Sequence, residues 1–69
     1  MALRVTINGE ERSLDMSVSV DVLLTQLGLE PAKIAIERNH EIVPRSKYRD
    51  VTVVDGDRLE IVHFIGGGM

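Results

Sequence analysis

Ser19-Val20-Asp21-Val22-Leu23-Leu24-Thr25-Gln26-Leu27-Gly28 is the stretch of this chain in which apolar residues keep a helical period, with Val20, Leu23, Leu24 and Leu27 at i, i+3, i+4 and i+7. Ser19 can accept a backbone N–H bond as the helix N-cap, and Asp21 puts negative charge in the first turn. Gly28 can take the left-handed conformation just past the end, and Pro31 cannot continue the helix. At about eight residues such a helix is marginal by itself, so its leucine stripe requires a sheet to lie on.

The flanking sequence supplies that sheet. Upstream, Leu3, Val5 and Ile7 alternate with Arg4, Thr6 and Asn8, the period of a strand with one buried face. Asn8-Gly9 then predicts a tight hairpin, with a second strand over about Glu11 to Asp15. Downstream, Lys33-Ile34-Ala35-Ile36-Glu37 reads as a short strand, Arg38-Asn39-His40-Glu41 as a turn, and Ile42-Val43 as the return, stopped by Pro44. The polar and basic segment Arg45-Ser46-Lys47-Tyr48-Arg49-Asp50 crosses the surface to Val51-Thr52-Val53-Val54, and Asp55-Gly56-Asp57 is the next turn. In the last strand Leu59, Ile61, His63 and Ile65 share one face, while Arg58, Glu60, Val62 and Phe64 share the other. With Leu59 and Ile61 turned inward, Val62 and Phe64 are left on the outer face near the chain end. Strands on both sides of one helix predict an α+β fold.

The 69 residues are 43% hydrophobic, 28% charged and 3% aromatic, with no Cys and no Trp, which sets one compact domain as the ceiling. A chain this short buries only about 60% of the surface its unfolded form exposes, so a deep enclosed cleft is hard to build and a self-sufficient enzyme is not expected. Without cysteine there is neither a disulfide nor a thiolate metal site. A net charge of −3 is the wrong sign for a surface that attracts phosphate backbones, which argues against nucleic acid. The N-terminus lacks a signal-peptide core, and no run of about 18 apolar residues suits a membrane span. The expectation is a soluble cytoplasmic protein, with no membrane partner.

Catalytic motifs are missing. There is no G-x-x-x-x-G-K-[ST], no G-x-G-x-x-G and no H-E-x-x-H. Ser13, Ser17, Ser19 and Ser46 read as turn or cap residues, and no histidine is spaced to activate them. His40 decorates a turn. His63, in an otherwise apolar strand, reads as a hydrogen-bonded, partly buried ring at the sheet end, with partner contact as the alternative. Two histidines without suitably spaced carboxylates make no convincing metal site. Catalytic, metal and cofactor residues are therefore expected to be none.

The chain end, Gly66-Gly67-Gly68-Met69, needs its own explanation, because glycine has the largest entropy cost on ordering and adds no side chain to packing. A frayed terminus is one reading. The other is an end threaded, extended, through a narrow slot of another protein. Three or four residues reach about 10–14 Å, enough to carry a carboxylate from the domain into a partner's active site. Such a carboxylate can attack the α-phosphate of ATP, giving a mixed anhydride that a sulfur or nitrogen nucleophile can open. Residues 1–65 are then the folded domain and 66–69 a flexible glycine-rich C-terminal tail.

With these features in place, the sequence resembles the small sulfur carriers of thiamine thiazole synthesis, the ThiS family, over essentially its whole length. The resemblance rests on the strand before Asn8-Gly9, the helix Val20-Asp21-Val22-Leu23-Leu24 capped by Ser19, Ile42-Val43-Pro44-Arg45, Val54-Asp55-Gly56-Asp57 leading into Leu59-Glu60-Ile61, and the terminal glycines. It implies a β-grasp, or ubiquitin-like, fold, in which a mixed sheet of four or five strands packs on one helix with the first and last strands adjacent and parallel at its centre. It further implies that an E1-like adenylating enzyme of the ThiF type activates the terminal glycine carboxylate with Mg-ATP. A sulfur donor such as a cysteine desulfurase then supplies sulfur for a thiocarboxylate, which thiazole synthase of the ThiG type consumes. The chain itself binds no cofactor; ATP and Mg belong to the adenylating partner. On this reading Gly68 is the site of covalent attachment, Gly66 and Gly67 thread the slot, and the chain is a carrier rather than an enzyme.

Met69 departs from the family pattern of a terminal glycine pair, so its removal to expose Gly68 is expected. On physical grounds Val62, Phe64 and Ile65, just before the tail, are candidates for partner docking, with closure of the core as the other reading for Phe64 and Ile65. The basic run Arg45, Lys47 and Arg49 reads as a solvated loop. Within the fold, the rival is the small subunit of molybdopterin synthase, whose approach to the tail contains a proline that Phe64-Ile65-Gly66 lacks. A carrier for another sulfur-requiring pathway and a plain, non-covalent β-grasp interaction module are the remaining alternatives.

Overall fold

The computed structural model describes residues 2–63. Strands β1 (Leu3–Ile7) and β2 (Glu10–Leu14) form an antiparallel hairpin in which Leu3 faces Leu14 and Ile7 faces Glu10. Asn8 and Gly9 make its two-residue turn, with φ of 51° and 85°. Positive φ at both central residues gives the turn a twist that matches the strands, which is why this pair of residue types is needed. So short a loop brings Glu10 directly opposite Ile7, and β2 begins one residue earlier than the sequence suggests.

Helix α1 (Val20–Gln26) starts where Ser19 Oγ accepts the Val22 N–H at 3.2 Å. It stops at Gly28, whose φ is 78°. There the Leu29 N–H donates to the Leu24 carbonyl at 2.9 Å and the Gly28 N–H to that of Thr25 at 3.0 Å, closing carbonyls the helix leaves open. Val20, Leu23 and Leu24 are fully buried.

A 3-10 turn (Pro31–Lys33) leads into β3 (Ile34–Arg38), followed by β4 (Glu41–Ile42) and, after a second 3-10 turn (Arg45–Lys47), β5 (Arg58–His63). The five strands lie in the order β2-β1-β5-β3-β4. β1 and β5 run parallel, and the other pairs are antiparallel. The last strand is thus inserted between the first and third. This is a β-grasp, α+β, with a five-stranded mixed sheet on one helix.

The core lies between sheet and helix. Leu3, Val5, Ile7, Ile34, Ile36 and Leu59 come from strands, and Val43, Tyr48 and Val53 from the connections close the margins. The buried Tyr48 hydroxyl donates to the Ile34 carbonyl at 2.8 Å, so its one polar atom is satisfied. Val51–Val54 adds no strand to the sheet. It lies beside the approach to α1, where Thr52 bridges Ser19, the Val53 N–H donates to the Val18 carbonyl and the Val20 N–H to that of Val51. Val53 is buried there as a wedge under the loop.

Candidate functional site: the open sheet face and the root of the chain end

Because α1 covers one sheet face, alternate residues of β5 turn to opposite environments. Leu59 is buried and Ile61 packs partly against the core, whereas Glu60 and Val62 stand on the open face. Register places Val62 opposite Ala35, Glu60 opposite Glu37, and Glu37 opposite Ile42. These side chains line a shallow groove over β5, β3 and β4. It is apolar where Ala35, Ile42 and Val62 meet. Ile42 is 74% exposed and Val62 58%. The two glutamates are like charges on directly opposed residues, an arrangement unfavourable in the free chain. Neither takes part in an ion pair among the described residues.

β5 is anchored at its start and again at Ile61 by side-chain amides and a carboxylate. At its start Asp57, 4% exposed, accepts from Arg38 Nε at 2.9 Å, from the Val54 N–H at 2.9 Å and from Asn39 Nδ2 at 3.1 Å. Asn39 also exchanges bonds with Arg58, its Oδ1 accepting the Arg58 N–H at 2.9 Å and its N–H donating to the Arg58 carbonyl at 2.7 Å. Burial pushes the Asp57 carboxyl up, but the Val54 N–H, the Arg38 guanidinium and the Asn39 amide together outweigh it and hold the group below its ordinary value. Further along, Asn8 clasps Ile61. Its Oδ1 accepts the Ile61 N–H at 2.7 Å and its Nδ2 donates to the Ile61 carbonyl at 3.2 Å. The main-chain N–H of Asn8 donates to the Leu59 carbonyl at 2.9 Å. The strand that leads to the chain end therefore leaves a rigid base.

Among the residues singled out from sequence, Val62 lies on the open face as expected, and the groove adds Ala35 and Ile42 to it. Phe64, Ile65, Gly66, Gly67, Gly68 and Met69 lie outside the described residues. His40 is exposed in the β3–β4 turn at φ 71°. His63 is exposed rather than partly buried. Burial falls from Leu59 through Ile61 to His63 along that face, so the core ends before it reaches the ring. Ser17 Oγ donates to the Val53 carbonyl and Ser19 caps α1, both structural roles. Arg45, Lys47 and Arg49 are exposed in their loop. No group of three or more metal-ligating side chains occurs among the described residues, and none of their helices is long and apolar enough to cross a membrane.

Sequence reading missed the two anchors. Asp57 and Asn8 were legible as turn residues, and nothing local to them identifies partners 19 and 53 positions away.

Comparison with known proteins agrees with this architecture. The sequence model of the ThiS family matches residues 5–68. A thiazole synthase of Paramagnetospirillum magneticum is 56% identical over 66 residues, which are 96% of this chain and 20% of that protein. This chain thus spans one fifth of that relative's length. The sulfur carrier protein ThiS of Bacillus subtilis is 42% identical over 50 residues, covering 72% of this chain and 76% of that one. The crystal structure of the thiamine biosynthesis protein ThiS from Geobacter metallireducens superposes with a TM-score of 0.82 at 33% identity, over 96% of this chain and 100% of that chain. With the glycine end inside the matched span and the β-grasp shared, the chain belongs to the ThiS family.

Proposed function

We propose that this chain is a sulfur carrier for thiamine thiazole synthesis, acting through the carboxylate of Gly68 once Met69 is removed. The observation that carries the reading is the family match, which runs to residue 68 and so takes in the glycines. A carboxylate oxygen of Gly68 attacks the α-phosphate of ATP on an E1-like, ThiF-type adenylating enzyme. Pyrophosphate leaves, and the acyl adenylate forms. The terminal sulfur of a donor persulfide, such as that of a cysteine desulfurase, then attacks the glycyl carbonyl and displaces AMP. A thiol reductant, itself oxidised to a disulfide, cleaves the S–S bond of the resulting acyl disulfide to release the donor cysteine and leave the thiocarboxylate.

All groups that hold Mg and ATP belong to the partner. Gly66 and Gly67 pass the slot because they present no β-carbon to its walls. Val62, with Phe64 and Ile65 after it, docks the domain against the partner. The relative named thiazole synthase, in which the matching segment is 20% of the chain, supports a ThiG-type synthase as the consumer.

The test uses the chain ending at Gly68, a ThiF-type enzyme, Mg-ATP and a sulfide source. Pyrophosphate release and a mass gain of one sulfur in place of one oxygen are expected, and both vanish when Gly66, Gly67 and Gly68 are deleted together. Absence of pyrophosphate release from the intact chain overturns the reading. Met69 found on a thiocarboxylated chain from its own cells overturns the trimming step.

A further inference from the structure

The clasp between Asn8 and Ile61 marks a change in the surroundings of β5. Main-chain N–H and C=O groups of a strand point to alternate sides, residue by residue. Those of Ile61 point toward β1, because Asn8 binds both of them. Those of Val62 therefore point toward β3, where Ala35 is its partner. Those of His63 point back toward the β1 side. The main chain of β3 confirms the alternation: opposite His63, the Ile34 carbonyl turns away from β5 and accepts from Tyr48, and opposite Ile61, the Ile36 carbonyl turns away and accepts the Val43 N–H.

β1, however, has ended. Its last register pair with β5 is Ile7 with Leu59, and the Asn8 carboxamide substitutes for one further strand residue. Beyond Asn8 no described residue pairs with the N–H or carbonyl of His63. A strand central to the sheet up to Ile61 thus becomes an open edge at its last described residue, directly before the segment that leads to the glycines. Proteins ordinarily cover or charge such an edge, since unpaired backbone groups are a template for another strand. Val62, beside it, turns an exposed apolar side chain to the open sheet face.

We infer that the β1-side edge of β5 at His63 is a strand-addition site, occupied by an extended segment of the thiazole synthase. The occupant follows from the preceding functional reading, on which this inference rests, and from a relative named thiazole synthase, one fifth of which is a segment 56% identical to this chain. Main-chain pairing at His63 sets the direction of the tail by backbone hydrogen bonds, which need no side chain and so suit a segment ending in glycines. Asn8 is the positioning residue, since it holds Ile61 in the extended conformation from which His63 is offered.

The test separates backbone from side chain at one position. His63→Ala removes the ring and keeps the N–H. His63→Pro removes the N–H as well, and proline is tolerated in a strand where its N–H side is unpaired. Against a ThiG-type synthase, full-length His63→Ala binds as the unaltered chain does, while His63→Pro binds roughly tenfold more weakly, the effect of leaving a partner carbonyl unsatisfied. Amide exchange on the unaltered chain gives a second readout that does not depend on the folding of a variant. The His63 N–H exchanges freely in the isolated chain and slows when the synthase is added. Equal binding by the two variants, or a His63 amide that exchanges as fast in the complex as in the free chain, overturns the edge site and leaves the carrier reading standing. Failure of the unaltered chain to bind the synthase overturns the partner and the edge together, while pyrophosphate release on the adenylating enzyme still reports on the carrier chemistry separately.

Discussion

Arg38 Nε stands 2.9 Å from Asp57 Oδ2, so the end of β3 is tied by a charge-assisted hydrogen bond to the turn from which β5 starts. Two further donors, the Val54 N–H and Asn39 Nδ2, complete the carboxylate's shell. Asp57→Asn keeps the shape but turns an amide N–H toward a donor that expects an acceptor. A loss of about 2–3 kcal/mol in unfolding free energy is expected, measured by urea denaturation. Arg38→Ala costs less, because its side chain is 32% exposed and water replaces part of what it supplies.

The same carboxylate gives stability a pH dependence. Its folded-state value lies below the ordinary 3.8, so folding favours the ionised form. The contribution is complete above the unfolded value and is lost as pH falls through the folded one. Urea midpoints of the unaltered chain are expected to fall below about pH 4, where the unfolded-state aspartate begins to bind its proton. Asp57→Asn flattens that part of the profile. An identical acid slope in both proteins assigns it to other carboxylates.

Ser19 Oγ satisfies one of the four N–H groups that α1 leaves open at its start. Ser19→Ala is expected to lower stability by about 1 kcal/mol, and Ser19→Asp to retain most of it. With seven residues in the helix, the loss should appear as faster amide exchange in its first turn before it appears in the global transition.

Ile42 and Val62 are exposed on the open face, so neither contributes much to the core. Ile42→Ser and Val62→Ser should change stability by no more than about 0.5 kcal/mol. If the groove docks a partner, each weakens binding to a ThiF-type or ThiG-type enzyme severalfold, as truncation of an apolar anchor does. Unchanged affinity in both variants removes the groove from the interface.

Asn8→Gly separates turn geometry from the clasp, since glycine keeps the positive φ that Asn8 holds at 51° but has no carboxamide. The hairpin of β1 and β2 should persist, and the Ile61 amide should lose its protection from exchange. Asn8→Ala should be less stable than Asn8→Gly, because it loses the clasp and strains the turn as well.

Periodicity made the elements legible. The spacing of Val20, Leu23, Leu24 and Leu27 identified the helix, and Ser19, Gly28 and Pro31 marked its ends by their own backbone chemistry. Alternation in Leu3-Val5-Ile7 and in Leu59-Ile61 chose which face of each strand turned inward, and burial agrees at both. Val51–Val54 is a short apolar run, and its periodicity alone does not say what it packs against. The choice was made by Ser19 and Val18, neighbours in space alone. His63 shared the inward parity of its strand, but parity reports a direction and not how far the core extends.

The amino-acid sequence by itself determined the helix and its caps, the hairpin at Asn8-Gly9, the inward set of apolar residues and the glycine end, because each depends on side-chain spacing or on conformational preferences within a few residues. Tertiary structure alone decided that β5 lies between β1 and β3, that Asp57 is enclosed by Arg38 and Asn39, that Asn8 reaches Ile61, and that Ile42, Ala35 and Val62 meet on one face. These are relations between separate segments of the chain, and they come into being when β5 pairs with β1 on one side and with β3 on the other.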